Sequence, residues 1–264
     1  MTLRLQNKVA IITGAGRGIG KAIALGFARE GASIVGVART LSELDSLAME
    51  VRRVGGRILN VFSDLSDPSQ PRRIVLQTLS EFDTIDVLVN NAAVGTEGCS
   101  RPVVDFDDDY WSLSLATNLT APYLMCRAVL PTLLKKRRGA IINISSLAGR
   151  AGLVNGVAYS ATKHGLLGIT RTLAMEVAKD GIAVNAICPG SYRTEMNQRS
   201  LEQDSIRLGI DLQSLEKKIA PIGRRLDPTE IVPTALLLAQ TEGVVITGQA
   251  INVCGGRSLF REID

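Results

Sequence analysis

A strand, a glycine-rich turn and a helix follow one another directly near the start of this chain, and this order constrains its fold more than any other feature. Residues Lys8 to Ile12 form a short apolar run rich in β-branched side chains, which predicts a buried strand. The run leads into the turn from Thr13 to Gly20 and then into an apolar-periodic helix from Ile19 to Arg29. Glycines let the backbone turn tightly and approach a pyrophosphate, whose charge is stabilised by the free N–H groups of the following helix.

The glycine spacing of this turn is G-x-x-x-G-x-G, formed by Gly14, Gly18 and Gly20. It differs from the G-x-G-x-x-G fingerprint of the commoner Rossmann dehydrogenases. A glycine loop alone could be only a tight turn between a strand and a helix. Because a strand precedes this turn and a helix follows it, phosphate binding is the better interpretation.

Apolar strands and helical stretches alternate along the rest of the chain. The further predicted strands are Ser33 to Val37, Arg57 to Phe62, Asp86 to Val89, Ala140 to Ile144, Ile182 to Ile187 and Ala250 to Val253. This alternation predicts parallel βαβ units with right-handed crossovers. With 264 residues and no linker or internal repeat, the chain is expected to form a single domain over residues 1–264. Ligands of such sheets bind beyond the carboxyl ends of the strands.

An ionisable phenol and an ammonium are placed four residues apart in the run Tyr159-Ser-Ala-Thr-Lys163. On a helix both side chains would lie on one face, and a neighbouring positive charge favours the phenolate. The hydroxyl of Ser146, thirteen positions before the tyrosine, could hydrogen-bond the same substrate oxygen. This group suits reversible proton transfer to a carbonyl, although Tyr-x-x-x-Lys alone is usually an ordinary helix face.

The chain resembles the short-chain dehydrogenase/reductase family from Lys8 to about Gly256. The motifs that carry the resemblance are Thr13-Gly14-x-x-x-Gly18-Ile-Gly20, Asp64, Asn90-Asn91-Ala92-Ala93, Asn118, Ser146, Tyr159 with Lys163, and Pro189-Gly190 with Thr194. The resemblance implies a Rossmann-like α/β fold, a doubly wound parallel sheet of about seven strands in the order 3-2-1-4-5-6-7 with helices on both faces. It also implies an NAD(P)-dependent oxidoreductase that transfers a hydride between a nicotinamide and a carbonyl or secondary alcohol.

The same resemblance assigns the catalytic roles. Tyr159 would exchange the proton on the substrate oxygen, Ser146 would stabilise that oxygen, and Lys163 would bias the phenol and hold the nicotinamide ribose. The thirteen-residue spacing in the family selects Ser146 over Ser145, which is expected to be structural. Asn118, in the interior of a long predicted helix, matches the asparagine that connects the lysine to solvent, and an asparagine there is costly for the helix.

A larger set of residues is assigned to the cofactor by resemblance. They are Gly14, Arg17, Gly18, Ile19, Gly20, Arg39, Asp64, Leu65, Asn91, Ala92, Tyr159, Lys163, Pro189, Gly190, Tyr192 and Thr194. Asp64 would receive the adenine amino group, although its segment could equally be a helix N-cap turn. The loop from Pro189 to Thr194 would cover the nicotinamide, with Tyr192 and Thr194 near the carboxamide. Ala93 stands where the family usually has glycine, which removes backbone freedom from that loop.

The residues after the second strand bear on the choice of cofactor. Members that prefer NAD place an acidic side chain there for the ribose hydroxyls, whereas this chain has Ala38 followed by Arg39. A guanidinium beside the ribose suits a 2′-phosphate, as does Arg17 in the glycine turn. NADP(H) is therefore the expected cofactor and NAD(H) the alternative. A merely solvated Arg39 would have the same sequence.

Other classes of protein receive little support from the composition. The four cysteines and the single His164 have no metal-ligand spacing, so no metal site is expected. A net charge of +4 and the basic run Lys135 to Arg138 could suggest a nucleic-acid partner, but only 4% of the residues are aromatic and the run suits a helix end. No apolar stretch reaches the roughly 18 residues of a membrane span, and the start lacks a signal-peptide core. A cytoplasmic protein without a membrane or nucleic-acid partner is expected.

The substrate is the property that the sequence defines least. The family closes its pocket with a segment that here spans residues 191–226, an expected helical lid of mixed charged and apolar residues. Ketones, polyols, steroids and 3-oxoacyl thioesters are all candidates, and a 3-oxoacyl-acyl-carrier-protein reductase is the second choice. A dinucleotide-binding regulator without catalysis is the alternative from another class. Family members are usually tetramers paired through two long helices, here about Asp107 to Leu134 and Ala158 to Ala178, so a homotetramer or homodimer is expected.

Overall fold

Seven strands pair in parallel and form one sheet in the computed structural model, which describes residues 3–240 and 245–259. The strands are β1 (Val9–Thr13), β2 (Ser33–Ala38), β3 (Ile58–Phe62), β4 (Val87–Asn90), β5 (Gly139–Ile144), β6 (Ile182–Pro189) and β7 (Ala250–Val253). Their order in the sheet is β3-β2-β1-β4-β5-β6-β7, with every pair parallel. The predicted fold class and strand order are confirmed; the bounds of β7 are as predicted, and those of the other strands differ from the prediction by one or two residues.

Helices cover both faces of this sheet. They are α1 (Gly18–Arg29), α2 (Leu41–Arg53), α3 (Gln70–Phe82), α4 (Asp108–Leu115), α5 (Ala121–Lys136), α6 (Val157–Val177), α7 (Glu195–Leu208), α8 (Leu212–Lys218) and α9 (Val232–Leu238). Side chains of α1, α2 and α9 form one core with one face of the strands, and side chains of α3, α5 and α6 form a second core with the other face. Because helices cover both faces of the sheet, every residue of β1, β4 and β5 is buried. This burial explains why such strands are continuous apolar runs in the sequence.

The long helix predicted from Asp107 to Leu134 is interrupted in the structure. Between α4 and α5 the residues Ala116–Thr120 form a π-helical turn, and the helical segment ends at Lys136. Asn118 lies in this turn and is 1% exposed. A π-turn inserts one extra residue into the helix, and a shift of one residue in the apolar pattern is too small to identify the turn from the sequence.

A buried chain of polar side chains joins the sheet to α6. The amide nitrogen Nδ2 of Asn90 donates to Oδ1 of Asn143 at 2.9 Å, and Nδ2 of Asn143 donates to Oγ1 of Thr170 at 2.9 Å. Thr170 in turn donates to the carbonyl oxygen of Leu166 at 2.8 Å. All three polar side chains are almost fully buried, so each depends on its neighbour for a hydrogen-bond partner. The chain holds β4, β5 and α6 in register just below the edge at which the loops begin.

We expect Asn143→Leu to lower the free energy of unfolding by about 2 to 4 kcal/mol, because it removes two buried hydrogen bonds and leaves the Asn90 amide without its best acceptor. Thr170→Val removes the bond from Asn143 and the local bond to Leu166 within α6 but keeps the bond between Asn90 and Asn143, so it is the matched control with a smaller loss. Urea unfolding monitored by circular dichroism measures both. An Asn143→Leu protein as stable as the parent would show that the chain of side chains does not hold the sheet to α6.

Candidate active site

A cleft of about 1040 Å³ opens at the carboxyl edge of the sheet. Most of the residues predicted for catalysis and cofactor binding line it: Gly14, Arg17, Gly18, Ile19, Arg39, Asp64, Leu65, Asn91, Ala92, Ser146, Tyr159, Lys163, Pro189, Gly190, Tyr192 and Thr194. Gly20 and Asn118 are the predicted residues that do not line it. The convergence follows from topology, since the carboxyl ends of parallel strands meet at one edge.

The glycine turn is fixed against the loop that follows β4. Gly14 and Gly18 have φ values of +64° and +56°, a conformation that favours glycine. The side-chain amide of Asn91 donates to the carbonyl oxygens of Thr13 (2.9 Å) and Gly14 (3.1 Å). A Cβ added at Gly20 would lie 2.2 Å from the Gly14 oxygen, so Gly20 acts by allowing close packing behind the turn. The free N–H groups at the start of α1 therefore face the cleft and suit a phosphate.

Lys163 is a buried ammonium at the base of the cleft. It is 2% exposed, and its Nζ donates to the carbonyl oxygen of Ile144 at 2.8 Å. The same Nζ lies 5.5 Å from the ring centroid of Tyr159, which is partly exposed to the cleft. Ser146 follows β5 and its Oγ accepts from the backbone N–H of Ala148 at 3.1 Å. Tyrosine, lysine and serine are thus brought to one wall of the cleft, as predicted.

Ser145 differs from its neighbour in what it contacts. Its hydroxyl donates to the backbone carbonyl of Lys163 at 3.0 Å, and the residue is 2% exposed. The bond ties the end of β5 to the middle of α6. These contacts agree with the structural role expected of Ser145.

The pKa values of Tyr159 and Lys163 differ from the expectation that the ammonium of Lys163 lowers the pKa of the Tyr159 phenol. Burial raises the pKa of Tyr159 to about 12, the neighbouring Ser146 hydroxyl acts in the opposite direction, and the charge of Glu97 raises it further. Burial also lowers the pKa of Lys163 to about 8. In the protein alone, the loss of hydration is the largest cause of both shifts. The ammonium of Lys163 lies over the face of the Tyr159 ring, and it donates its hydrogen bond to the carbonyl oxygen of Ile144. The expected lowering of the Tyr159 pKa is therefore wrong.

Asn118 lies beneath the cleft and supports the loop after β4. Its Oδ1 accepts from the backbone N–H of Val94 and its Nδ2 donates to the carbonyl oxygen of Val94, both at 2.8 Å. Its Nδ2 also lies 3.4 Å from Oγ1 of Thr162 on α6. The side chain therefore joins the π-turn to both the loop and the helix that carries the tyrosine.

The loop after β6 places its predicted residues in two different environments. The side chain of Tyr192 turns into the apolar core, is 2% exposed, and donates its hydroxyl to the carbonyl oxygen of Val253 at 3.2 Å. Tyr192 still lines the cleft, although its ring packs in the core. Thr194 caps α7, with its Oγ1 accepting from the N–H of Asn197 at 3.2 Å.

Two charged residues near the substrate side of the cleft were not found by sequence reasoning. Oε2 of Glu97 is buried and has no hydrogen-bond partner among the described residues, and its charge raises the pKa of Tyr110 as well as that of Tyr159. Arg257, which follows β7, lines the cleft. No spacing rule points to Glu97, whereas the Gly255-Gly256 turn after the last strand is a signal that could have drawn attention to Arg257.

Comparison with known proteins agrees with this geometry. Residues 8–205 match the family model described as short chain dehydrogenase. The chain belongs to this family. It is 34% identical to a 3-oxoacyl-[acyl-carrier-protein] reductase of Thermotoga maritima over 254 residues, which cover 96% of this chain and 99% of that protein.

Two solved structures share the whole fold. The actinorhodin polyketide ketoreductase with NADPH has a TM-score of 0.91 at 32% identity, covering 98% of this chain and 100% of that one. The carveol dehydrogenase of Mycobacterium avium in complex with NAD has a TM-score of 0.91 at 28% identity, with the same coverage of both chains.

The family membership establishes the class of chemistry. This short-chain dehydrogenase is an oxidoreductase that uses a nicotinamide cofactor on a small-molecule substrate. Within residues 3–240 and 245–259, no helix is long and apolar enough to cross a membrane, and no group of three His, Cys, Asp or Glu side chains could hold a metal ion. The four cysteines are free and buried.

Lys163→Met is expected to gain stability relative to the parent at pH 7, and this gain should shrink by about 2 kcal/mol at pH 9.5. The folded-state pKa of about 8 lies below the unfolded value, so the unfolded protein binds more protons between those values and the parent becomes more stable as pH rises through this window. Urea unfolding of both proteins at the two pH values gives the double difference, in which other titrating groups cancel. A stability gap that does not change with pH would show that Lys163 is not held with a depressed pKa.

Proposed function

We propose that Tyr159 is the general acid and base of a reversible hydride transfer between a nicotinamide and a carbonyl or secondary alcohol. The observation that carries the proposal is the meeting of Tyr159, Ser146 and Lys163 on one wall of the cleft that the glycine turn opens. When bound, the nicotinamide supplies or accepts the hydride at the carbonyl carbon. The pocket residues do the rest: they orient the substrate and move one proton at its oxygen.

In the reductive direction, the phenol of Tyr159 donates its proton to the carbonyl oxygen as the carbon receives the hydride. The phenol is protonated at neutral pH, as an acid must be, but its raised pKa in the protein alone makes it a weaker proton donor than a free tyrosine. The Ser146 hydroxyl donates to the same oxygen and stabilises the developing charge. Lys163 would hold the cofactor ribose, and a sugar hydroxyl would add a partner for an ammonium that donates to the carbonyl oxygen of Ile144.

NADP(H) is proposed as the preferred cofactor because no acidic side chain ends β2. Ala38 closes this strand, and Arg39 follows it in the cleft with its Nη1 3.7 Å from Oδ2 of Asp64. Burial raises the pKa of Asp64, but hydrogen bonds from Ser66 and the charge of Arg39 outweigh it and hold this carboxyl in its anionic form. The exposed Arg39 remains able to turn toward a 2′-phosphate.

The second predicted arginine is less available to a phosphate. Arg17 in the glycine turn pairs with Glu195 of α7 at 2.5 Å and with Glu43 of α2 at 3.5 Å. A phosphate dianion at Arg17 would have to displace these carboxylates. We therefore assign the discrimination between the two cofactors to Arg39.

Residues 191–226 are proposed as the substrate lid of a single catalytic domain. Two helices, α7 and α8, form this segment and pack on each other through Leu201, Leu215 and Ile219. Oγ1 of Thr96 and Oγ of Ser200 are 2.9 Å apart, which joins the lid to the loop after β4. The segment therefore contacts both the cofactor side of the cleft, through Glu195 and Arg17, and the substrate side.

A homotetramer or homodimer built on the α4–α5 segment and α6 is also proposed. Large apolar side chains stand exposed on these helices, with Tyr123 at 48% and Met175 at 84%. Leu237 of α9, near the last strand, is 48% exposed. Pairing of copies through these helices would remove such side chains from water.

Reduction of 3-oxoacyl thioesters is the second candidate function. It is supported by the similarity to the Thermotoga maritima 3-oxoacyl-[acyl-carrier-protein] reductase along nearly the whole chain. The reacting group of such a substrate is also a carbonyl, so Tyr159 and Ser146 would do the same chemistry.

Tyr159→Phe should lower the turnover of NADPH with a carbonyl panel by about 100-fold or more, because it removes the general acid. Binding of NADPH, measured by fluorescence, should be retained. Tyr123→Phe, on an exposed face of α5, is the matched control and should keep normal turnover. A Tyr159→Phe enzyme with near-parental turnover would contradict the mechanism, and NADPH binding by the parent without reduction of any carbonyl would favour a regulator.

Arg39→Asp should lower the ratio of kcat/KM for NADPH to that for NADH by about tenfold or more, because it replaces a charge-assisted bond to the 2′-phosphate with repulsion. Arg57→Asp is the control, since Arg57 is exposed and pairs with Glu81 outside the cleft. The ratio is measured with one carbonyl substrate at fixed concentration. An unchanged ratio in Arg39→Asp would remove the basis for the NADP(H) preference.

A further inference from the structure

Part of the cleft is lined by polar and charged side chains from the lid, from β7 and from the turn after β7. We name this part the Arg257 pocket: Ser200, Gln203, Asp204, Asn252 and Arg257, all of which line the cleft. None of these residues belongs to the glycine turn or to the tyrosine wall. Their chemistry therefore bears on what the substrate carries beyond its reacting carbonyl.

The backbone after β7 is shaped so that Arg257 is held in this pocket. Gly255 and Gly256 have φ values of +61° and +86°, and the N–H of Arg257 donates to the carbonyl oxygen of Cys254 at 3.2 Å. A Cβ on Gly255 would lie 2.5 Å from a methyl of Ile222, and one on Gly256 would lie 2.8 Å from the ring of Pro221. Two successive positions thus require glycine, and the turn presses against the end of the lid segment.

The guanidinium of Arg257 is partly buried and lacks a close anionic partner in the described ranges. Burial lowers the pKa of Arg257, with the charge of Asp204 acting in the opposite direction. Asp204 itself forms its ion pair with Arg207 on the same helix, at 2.7 Å. A cation that has lost part of its hydration gains most from an anion that can reach it.

The neighbouring charges at the base of the lid add to this positive character. Arg193, which lines the cleft, shares Glu216 with Arg225, at 3.0 Å and 3.4 Å. Nε of Arg225 is buried and has no hydrogen-bond partner among the described residues. Two guanidinium groups therefore share one carboxylate where Arg193 lines the cleft, which leaves a net positive charge within this group.

We propose that the substrate carries a carboxylate, and that Arg257 binds this group while the carbonyl carbon lies at Tyr159. The proposal rests on the oxidoreductase function proposed above and specifies its substrate class as an oxo acid, or the matching hydroxy acid. A guanidinium offers a planar carboxylate two parallel hydrogen bonds, which fixes orientation as well as position. Ser200, Gln203 and Asn252 would provide further donors around the same group.

A carboxylate requirement would also separate the two candidate functions. The acyl part of a 3-oxoacyl thioester carries no carboxylate to place against Arg257, because the negative charge of its carrier arm is a phosphate several bonds beyond the thioester. An oxo acid of suitable length would place its carboxylate at Arg257 and its carbonyl group at Tyr159. The Arg257 pocket therefore favours small acids over acyl thioesters.

The test uses the protein with NADPH and a series of oxo acids, from 2-oxohexanoate to 5-oxohexanoate, each with its methyl ester. The N-acetylcysteamine thioester of 3-oxobutyrate is the acyl-thioester probe. We expect kcat/KM for the best acid to exceed that for its ester by about 10- to 100-fold. Arg257→Gln should remove this preference by lowering the value for the acid and leaving that for the ester unchanged.

Control variants separate binding from folding. Arg257→Lys keeps a charge without the planar fork and should retain part of the preference. Arg72→Gln, an exposed arginine of α3 outside the cleft, should retain all of it. The melting temperature and NADPH affinity of Arg257→Gln should match those of the parent, so a loss of acid reduction is not a loss of fold.

Binding of the acids and esters to the protein–NADPH complex, measured by calorimetry, decides the proposal independently of turnover. If no probe is reduced but the acids bind more tightly than the esters and lose this advantage in Arg257→Gln, the proposed function fails while the carboxylate site stands. If acids and esters bind and react equally well with the parent, or Arg257→Gln weakens both alike, the carboxylate site is wrong and the oxidoreductase function is untouched.

Discussion

The hydrogen bond from Lys163 to the carbonyl oxygen of Ile144 is the interaction on which the arrangement of the site depends. It ties the middle of α6 to the last residue of β5, so that Tyr159, one turn earlier on the helix, stands beside Ser146, which follows the strand. The ammonium loses its hydration to do this, and its lowered pKa measures the cost. An apolar residue at position 163 would avoid this loss of hydration and make the fold more stable. The packing of the large sheet around the site offsets the destabilising effect of the buried lysine.

Much of this fold could be predicted because the central strands are mainly apolar on both faces and each connection contains a helix. The strand order followed from the family resemblance, and the loops at the carboxyl edge then had to converge. The π-turn at Asn118 and the inward side chain of Tyr192 could not be predicted. The first shifts the apolar pattern of the helix by only one residue, and the second depends on which of two environments, core or cleft, has room for a ring.

The direction of the Tyr159 pKa shows why sequence spacing is a weaker guide to electrostatics than to geometry. A separation of four residues places two side chains on one helix face, and that part of the prediction holds. The pKa depends instead on how much water each group loses and on where its hydrogen bonds go, which the sequence does not contain. Here burial acts on both groups at once and pushes each toward its neutral form.

The arginines at the two ends of the cleft differ in whether a carboxylate lies close to them. This difference separates the cofactor chemistry that the family shares from the substrate selection of this protein. At the cofactor end, Arg17 and Arg39 each lie near a carboxylate and can exchange it for a phosphate. At the substrate end, Arg257 is held by two obligatory glycines with no comparable partner in the described part of the chain. The motifs that identify the family lie around the first end and around Tyr159. Substrate selection is therefore expected to reside in the lid and in the turn after β7, where the sequence carries no family motif and a single desolvated charge can decide which carbonyl compound is bound.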